Sequence, residues 1–230
     1  MTKRRLINPG IFLWVWMAVL ASGAGAADLP PGFVYVDRVI PTIRLEMRYA
    51  GNHNFVGRPI DGYLQPKAIL TREAAAALKQ VQEDLKPFGL GLKIFDAYRP
   101  QRAVDDFYRW SLEVADTKTK GEFYPHLSKE KLFADGYILK KSSHSRGSTV
   151  DLTIVSLDDG RELDMGTLFD YFGKESWPDN PGRSPGQRAQ RLLLRVLMQK
   201  HGFEPYFAEW WHFTLKNEPY PQTYFNFPVQ

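Results

Sequence analysis

Two short segments hold most of the residue types that could do chemistry at a metal. The first, Ser142-Ser143-His144-Ser145-Arg146-Gly147-Ser148-Thr149-Val150-Asp151, sets a histidine and an aspartate on either side of a turn-forming glycine and a strand start. The second is Glu209-Trp210-Trp211-His212. Imidazole and carboxylate are ligands that a borderline divalent cation such as zinc accepts, and a catalytic zinc site uses three of them and leaves a position for water. His144, Asp151 and His212 form one such set. The chain has no cysteine, so any metal must be held by histidine and carboxylate.

Each piece alone is weak. A histidine among aromatic residues is more often packed in a core, and an aspartate shortly after a turn glycine more often bonds locally. Their combination with Glu209 raises the odds of a metal site with a base beside it. In a helix Glu209 and His212 would share a face, but Trp210-Trp211-His212-Phe213-Thr214-Leu215 favours a strand, where a spacing of three puts them on opposite faces. The strand must therefore bend or begin here if both groups are to meet. His53, His126 and His201 have no comparable partners, and His201, next to Gly202 at a helix end, reads as a favourable C-terminal charge.

The elements that must position these groups follow from periodicity. Phe33 to Asp37 reads as a short strand, and Ile43 to Met47 alternates cleanly. Tyr49 to Tyr63, rich in Gly, Asn and aromatics, reads as an irregular loop. Thr71 is an N-cap for the Ala-rich helix Arg72 to Leu85, which ends at Gly89. Leu90 to Phe95 then reads as a buried strand running into Asp96-Ala97-Tyr98-Arg99-Pro100, and Pro100 opens a helix from Gln101 to about Ala115. Asp116 to Lys141 gives a weak, mixed pattern. Ser148 to Val155 reads as a strand, Leu157 to Trp177 as a long loop with some helix, Gln187 to Lys200 as an amphipathic helix, and Phe203 to Leu215 as strand. Helices and strands intersperse without regular alternation, and neither a repeat nor a nucleotide-binding glycine motif is visible. The expected class is α+β.

The 230 residues, 43% of them apolar, describe a globular chain of one or two domains. Its net charge of +4 is concentrated at one end. Lys3, Arg4 and Arg5 precede an apolar run from Ile11 to Leu20 and then only small residues to Ala26, the order of a secretory signal peptide cleaved near Ala26. The apolar core is about half of the roughly 20 residues that a membrane span needs. Residues 1–26 carry three basic and no acidic residues, so without them the charge is 4 − 3 = +1. A nearly neutral exported domain, residues 27–230, remains. It shows no basic stripe for nucleic acid, and the expected location is the periplasm, with no stable membrane anchor.

At Ser142, His144, Gly147 and Asp151 (S-x-H-x-x-G-x-x-x-D), and at Glu209, Trp211 and His212 (E-x-W-H), the sequence resembles the zinc D-alanyl-D-alanine dipeptidases within the zinc D,D-peptidases. Asn54 to Gly57, Asp61 to Tyr63, Phe95 to Pro100 and Leu163 to Asp170 resemble the dipeptidase branch in particular, so the likeness covers nearly all of the chain after the leader. Thr149 stands where this group usually has Ala, and the leader is a second departure. The resemblance implies a single α+β domain with a mixed, mainly antiparallel sheet flanked by helices, the zinc D,D-peptidase (hedgehog-like) fold. It implies one Zn²⁺ per chain held by His144, Asp151 and His212, with Glu209 as general base and Arg99 facing the reacting carbonyl. Chemistry agrees, because an ionised glutamate accepts a proton and a guanidinium stabilises an oxyanion.

Ser142, Asp96 and Tyr63 are the candidate substrate-binding residues. Asp96, three residues before Arg99, can orient that guanidinium or serve equally as a turn carboxylate, and Tyr63 and Tyr49 are candidates for the pocket wall or the substrate ammonium, with core packing the default for either. The expected substrate is a free D,D-dipeptide read at both charged ends inside a small closed pocket. The nearest rival is a zinc D,D-carboxypeptidase or endopeptidase acting on peptidoglycan stem peptides, with peptidoglycan fragments as partners. A non-catalytic wall-binding module is a third reading, and Glu209 and Arg99 argue against it.

Overall fold

The computed structural model describes residue 1 and residues 29–230, so the expected signal peptide, residues 1–26, lies outside the described residues save for Met1. The elements run β1 (Phe33–Tyr35), α1 (Val36–Val39), β2 (Arg44–Leu45), β3 (Ile69–Thr71), α2 (Arg72–Leu85), β4 (Leu90–Asp96), α3 (Gln101–Leu112), α4 (Lys120–Phe123), α5 (Lys129–Ala134), β5 (Thr149–Ser156), α6 (Pro185–Lys200), β6 (Phe203–Pro205) and β7 (His212–Leu215). The main sheet has the order β2-β4-β5-β7-β6, with only β2 and β4 parallel, and β1 and β3 form a separate antiparallel pair. The architecture is the expected α+β domain with a mixed, mainly antiparallel sheet.

The central strand β5 is buried along almost its whole length, and its alternation puts Val150, Leu152 and Ile154 on one face and Asp151 on the other. Helix α2 begins where Thr71 accepts a hydrogen bond from the Ala74 amide, and it buries Ala74, Ala75, Leu78, Val81 and Leu85. Its buried Gln82 accepts from the Leu92 amide, which fixes the helix against β4. Helix α6 opens with a reciprocal Ser184–Gln187 capping box and Pro185 at its first turn. It therefore starts two residues before the expected Gln187.

Two expectations are corrected. Phe33 to Asp37 is not all strand, because the chain turns helical at Val36. Phe203 to Leu215 is a hairpin, not one strand: Pro205 ends β6 and cannot donate to a ladder, the Tyr206 amide donates to the His212 carbonyl, and the chain loops through Trp211 before β7.

Beyond Leu215 the chain crosses back over the molecule with little regular structure. The Phe225 amide donates to the Ser145 carbonyl, the Gln101 amide donates to the Phe225 carbonyl, and the Val229 amide donates to the Gly62 carbonyl. Phe225 and Phe227 pack on Phe33, and Phe227 stacks on Tyr98. Among the described residues no helix is long and apolar enough to cross a membrane.

Candidate metal centre and active site

His144 lies in a 3₁₀ turn, Ser143–Arg146, capped by the Ser142 hydroxyl oxygen, which accepts from the His144 amide at 3.3 Å. The turn ends at Gly147 with φ +85°, and a Cβ there would sit 2.3 Å from the Phe33 ring. Conformation and space both demand glycine, so the turn delivers the chain directly into β5 and to Asp151. On the neighbouring strand His212 is the register partner of Asp151. Strand β7 begins at His212, with Glu209 in the loop just before it, which meets the geometric requirement that the sequence imposed. The Glu209 carboxylate is 3.5 Å from His212 Nδ1.

The three side chains converge. His144 Nε2 is 3.2 Å from one Asp151 oxygen, His212 Nδ1 is 3.1 Å from the other, and the two ring nitrogens are 3.3 Å apart. His144 Nδ1 lies 2.7 Å from the Ala97 carbonyl, which can only accept, so the proton belongs on Nδ1 and the Nε2 lone pair points into the cluster. Asp151 Oδ1 is buried without a hydrogen-bond partner despite His212 nearby. An orphaned carboxylate oxygen and an imidazole lone pair aimed at a second ring nitrogen are what a shared cation would satisfy. The donor set of two nitrogens and a carboxylate fits zinc, and all three ligand atoms lie within 4.8 Å of one another.

Arg99 is clamped beside this cluster. Its Nε and one terminal nitrogen lie 2.9 and 2.8 Å from Asp96 Oδ2, and its guanidinium packs against the rings of Tyr49 and Phe107. A bulge between Ile94 and Asp96 turns the end of β4 so that Asp96 faces Asp151 across the ladder. Asp96 is completely buried and accepts a 2.6 Å bond from the Tyr63 hydroxyl. Asp96 and Tyr63 are thus buried behind Arg99, where the Asp96 carboxylate bonds the guanidinium and Tyr63 bonds Asp96, and neither is among the residues that line the cavity. Ser142 and Tyr49 do line the cavity. His53 and His201 lie in other contacts, with Glu122 and Asp84.

The cavity holds about 520 Å³, within the range of ligand clefts, and its wall includes the exposed Leu139, Glu204 and Lys216. It is thus wider and more open than the small closed pocket the sequence suggested. Asp170 also lines it, and no role was assigned to this residue from sequence although it ends the stretch Leu163 to Asp170. Asp170 has φ +63°, in the left-handed region that aspartate enters more readily than most non-glycine residues, and its carboxyl accepts from the Tyr49 hydroxyl at 3.0 Å. Burial, reinforced by the Asp151 charge, pushes the Asp170 carboxyl well above the usual range. Burial and then Asp151 push Glu209 to about 8, against the pull of Arg99 and His144. A cation in the cluster would lower both.

A largely buried glutamate and a clamped arginine beside a histidine–aspartate–histidine cluster in one cleft are the parts a hydrolytic metal centre needs. Residues 30–230 match the M15 peptidase family described as D-ala-D-ala dipeptidase. D-alanyl-D-alanine dipeptidases of Enterococcus faecalis and Streptomyces coelicolor are 41% and 43% identical over 198 and 197 residues, each alignment covering 86% of this chain and 98% of the relative. The chain belongs to this family. A more distant likeness, at 16% identity and a TM-score of 0.39, joins 67% of the chain to 77% of a vancomycin-resistance D,D-pentapeptidase solved with Zn(II).

Proposed function

We propose that the protein hydrolyses D-Ala-D-Ala to two molecules of D-alanine, with one zinc ion held by His144, Asp151 and His212. The observation that carries this reading is the convergence of those three ligands with Glu209 and Arg99 on one cleft. When bound, the metal supplies Lewis acidity and a water acidic enough to attack near neutral pH. Glu209 takes the proton of the attacking water and delivers it to the leaving amine nitrogen, a task open to an ionised carboxylate 3.5 Å from His212. Arg99 offers fixed donors to the oxyanion as the carbonyl becomes tetrahedral, and Asp96 and Tyr63 keep its guanidinium from reorienting. Asp170 takes the substrate ammonium, since it is a buried carboxyl on the cavity wall, and the Ser142 hydroxyl donates to the substrate carboxylate. Residues 1–26 act as a cleaved leader that delivers the catalytic domain, residues 27–230, to the periplasm, a reading supported by the order of charged, apolar and small residues.

The open cleft favours a second reading, cleavage of longer peptidoglycan stem peptides. Incubation of the purified protein with D-Ala-D-Ala and with a muropeptide ending in D-Ala-D-Ala, each with and without a chelator, separates the two. Chelator-sensitive release of D-alanine from the free dipeptide alone is expected. Release from the muropeptide at a comparable rate would move the assignment to the second reading, and activity that survives the chelator would overturn both.

A further inference from the structure

Helix α6 holds a buried charge that the chemistry above does not use. Arg191 is 3% exposed, and its three guanidinium nitrogens donate to three main-chain carbonyls: Nε to Met165 at 2.7 Å, Nη1 to Trp177 at 2.8 Å and Nη2 to Glu175 at 2.9 Å. None of those acceptors is a carboxylate. A buried cation satisfied only by neutral carbonyls is a costly way to add stability. Burial, with Arg183 nearby, lowers its pKa to about 10, so it stays charged at neutral pH.

The placement of the acceptors suggests what the charge does. Met165 lies five residues before Asp170 and Glu175 five residues after it. One planar guanidinium therefore fastens both limbs of the loop to the same point on α6, with Asp170 between them at φ +63°. The closed segment, 165–177, is the size of an Ω-loop and contains only one turn of 3₁₀ helix, Lys174–Ser176, so its shape is set by such ties. It is also tied to the loop that carries the base: the Trp210 amide donates to the Ser176 carbonyl, and its indole nitrogen donates to the Thr167 hydroxyl.

We propose that Arg191 is a positioning residue for recognition of the substrate amine: by stapling the two limbs of the 165–177 loop it holds the Asp170 carboxyl on the cavity wall. This rests on the assignment of Asp170 to the substrate ammonium. Lysine cannot reproduce the role, because a single ammonium has no planar fork to span three carbonyls.

The test uses zinc-loaded full-length protein and the variants Arg191→Ala, Arg191→Lys and Asp170→Asn. The measurements are KM for D-Ala-D-Ala, Ki for N-acetyl-D-Ala-D-Ala, which lacks the ammonium, and zinc content. Both Arg191 variants should keep one zinc and raise KM by roughly tenfold or more, while Ki for the acetylated ligand moves by less than about twofold. Millimolar guanidinium should partly restore KM in Arg191→Ala. The proposal is overturned if KM stays at the wild-type value, if KM and Ki rise together, if zinc is lost, or if neither variant folds, since each would assign Arg191 to general stability or to nothing. Asp170→Asn reports separately: an unchanged KM in that variant refutes the ammonium assignment itself.

Discussion

Replacing Glu209 with Gln keeps the shape of the side chain but removes its charge and its ability to carry a proton. Loss of a general base lowers turnover by about 10²- to 10⁴-fold, equivalent to roughly 3–5 kcal/mol of barrier. The same change should make the metal-free protein more stable. In the metal-free fold the Glu209 carboxyl is raised from its ordinary 4.5 to about 8, first by burial and then by Asp151. Between these values the folded state keeps a proton that the unfolded state has released, so stability falls as pH rises and is lowest above pH 8. At 1.36 kcal/mol per pKa unit the penalty has an upper bound on the order of 5 kcal/mol, and each kcal/mol is worth about 2–4 °C in a chain of this size. Thermal unfolding in chelator from pH 4 to 8.5 should therefore show wild type and Glu209→Gln together at the acid end and the variant increasingly higher toward pH 8. Zinc should narrow the gap, since a cation beside the carboxylate compensates its charge, and zinc content should match that of wild type. Coincident unfolding curves at pH 8, or more than about a tenth of wild-type dipeptide hydrolysis, would refute this account of Glu209.

Asp151→Asn should weaken zinc binding by more than about 100-fold, read by competition with a chelator, because it removes the one charged ligand. Gly147→Ala should destabilise the fold by about 1–3 kcal/mol from backbone strain, with more from the collision with Phe33, and should lower the denaturant midpoint. Tyr63→Phe leaves a buried Asp96 oxygen unpaired, at about 1–3 kcal/mol. Steady-state kinetics should show kcat falling while KM and zinc content hold, since only the seat of Arg99 is loosened.

What the sequence made legible is what repeats or caps. Helix α2 was visible because Thr71 precedes a single apolar stripe, and β5 because an apolar run follows a glycine turn. The candidate ligands were legible because each sits at a fixed offset from a local feature, the Gly147 turn or the start of β7. The hairpin from Phe203 to Leu215 was hidden because aromatic composition signals strand but not where a strand folds back, and only Pro205 marked the break. Asp170 ends a stretch that resembles the dipeptidase branch, but no periodicity singled it out: its place depends on one bent residue in an aperiodic loop tied to a helix by Arg191. Tyr63 was seen as a pocket residue because sequence cannot tell which side of Arg99 a tyrosine 36 positions earlier will occupy.

The returning segment from Phe225 to Gln230 has a consequence for how the protein matures. Its main chain fastens the turn after His144 to the start of α3 beside Arg99, and other contacts reach back 129 and 195 residues, from Phe227 to Tyr98 and from Gln230 to Tyr35. Such sequence-distant closures form late, because the loop they close is long. Until residues 225–230 have docked, β5 and β7 can pair while the turn that carries His144 stays unfastened from the start of α3. Order at the candidate site is therefore coupled to a contact between residues far apart in sequence, and not to the pairing of its own two strands alone.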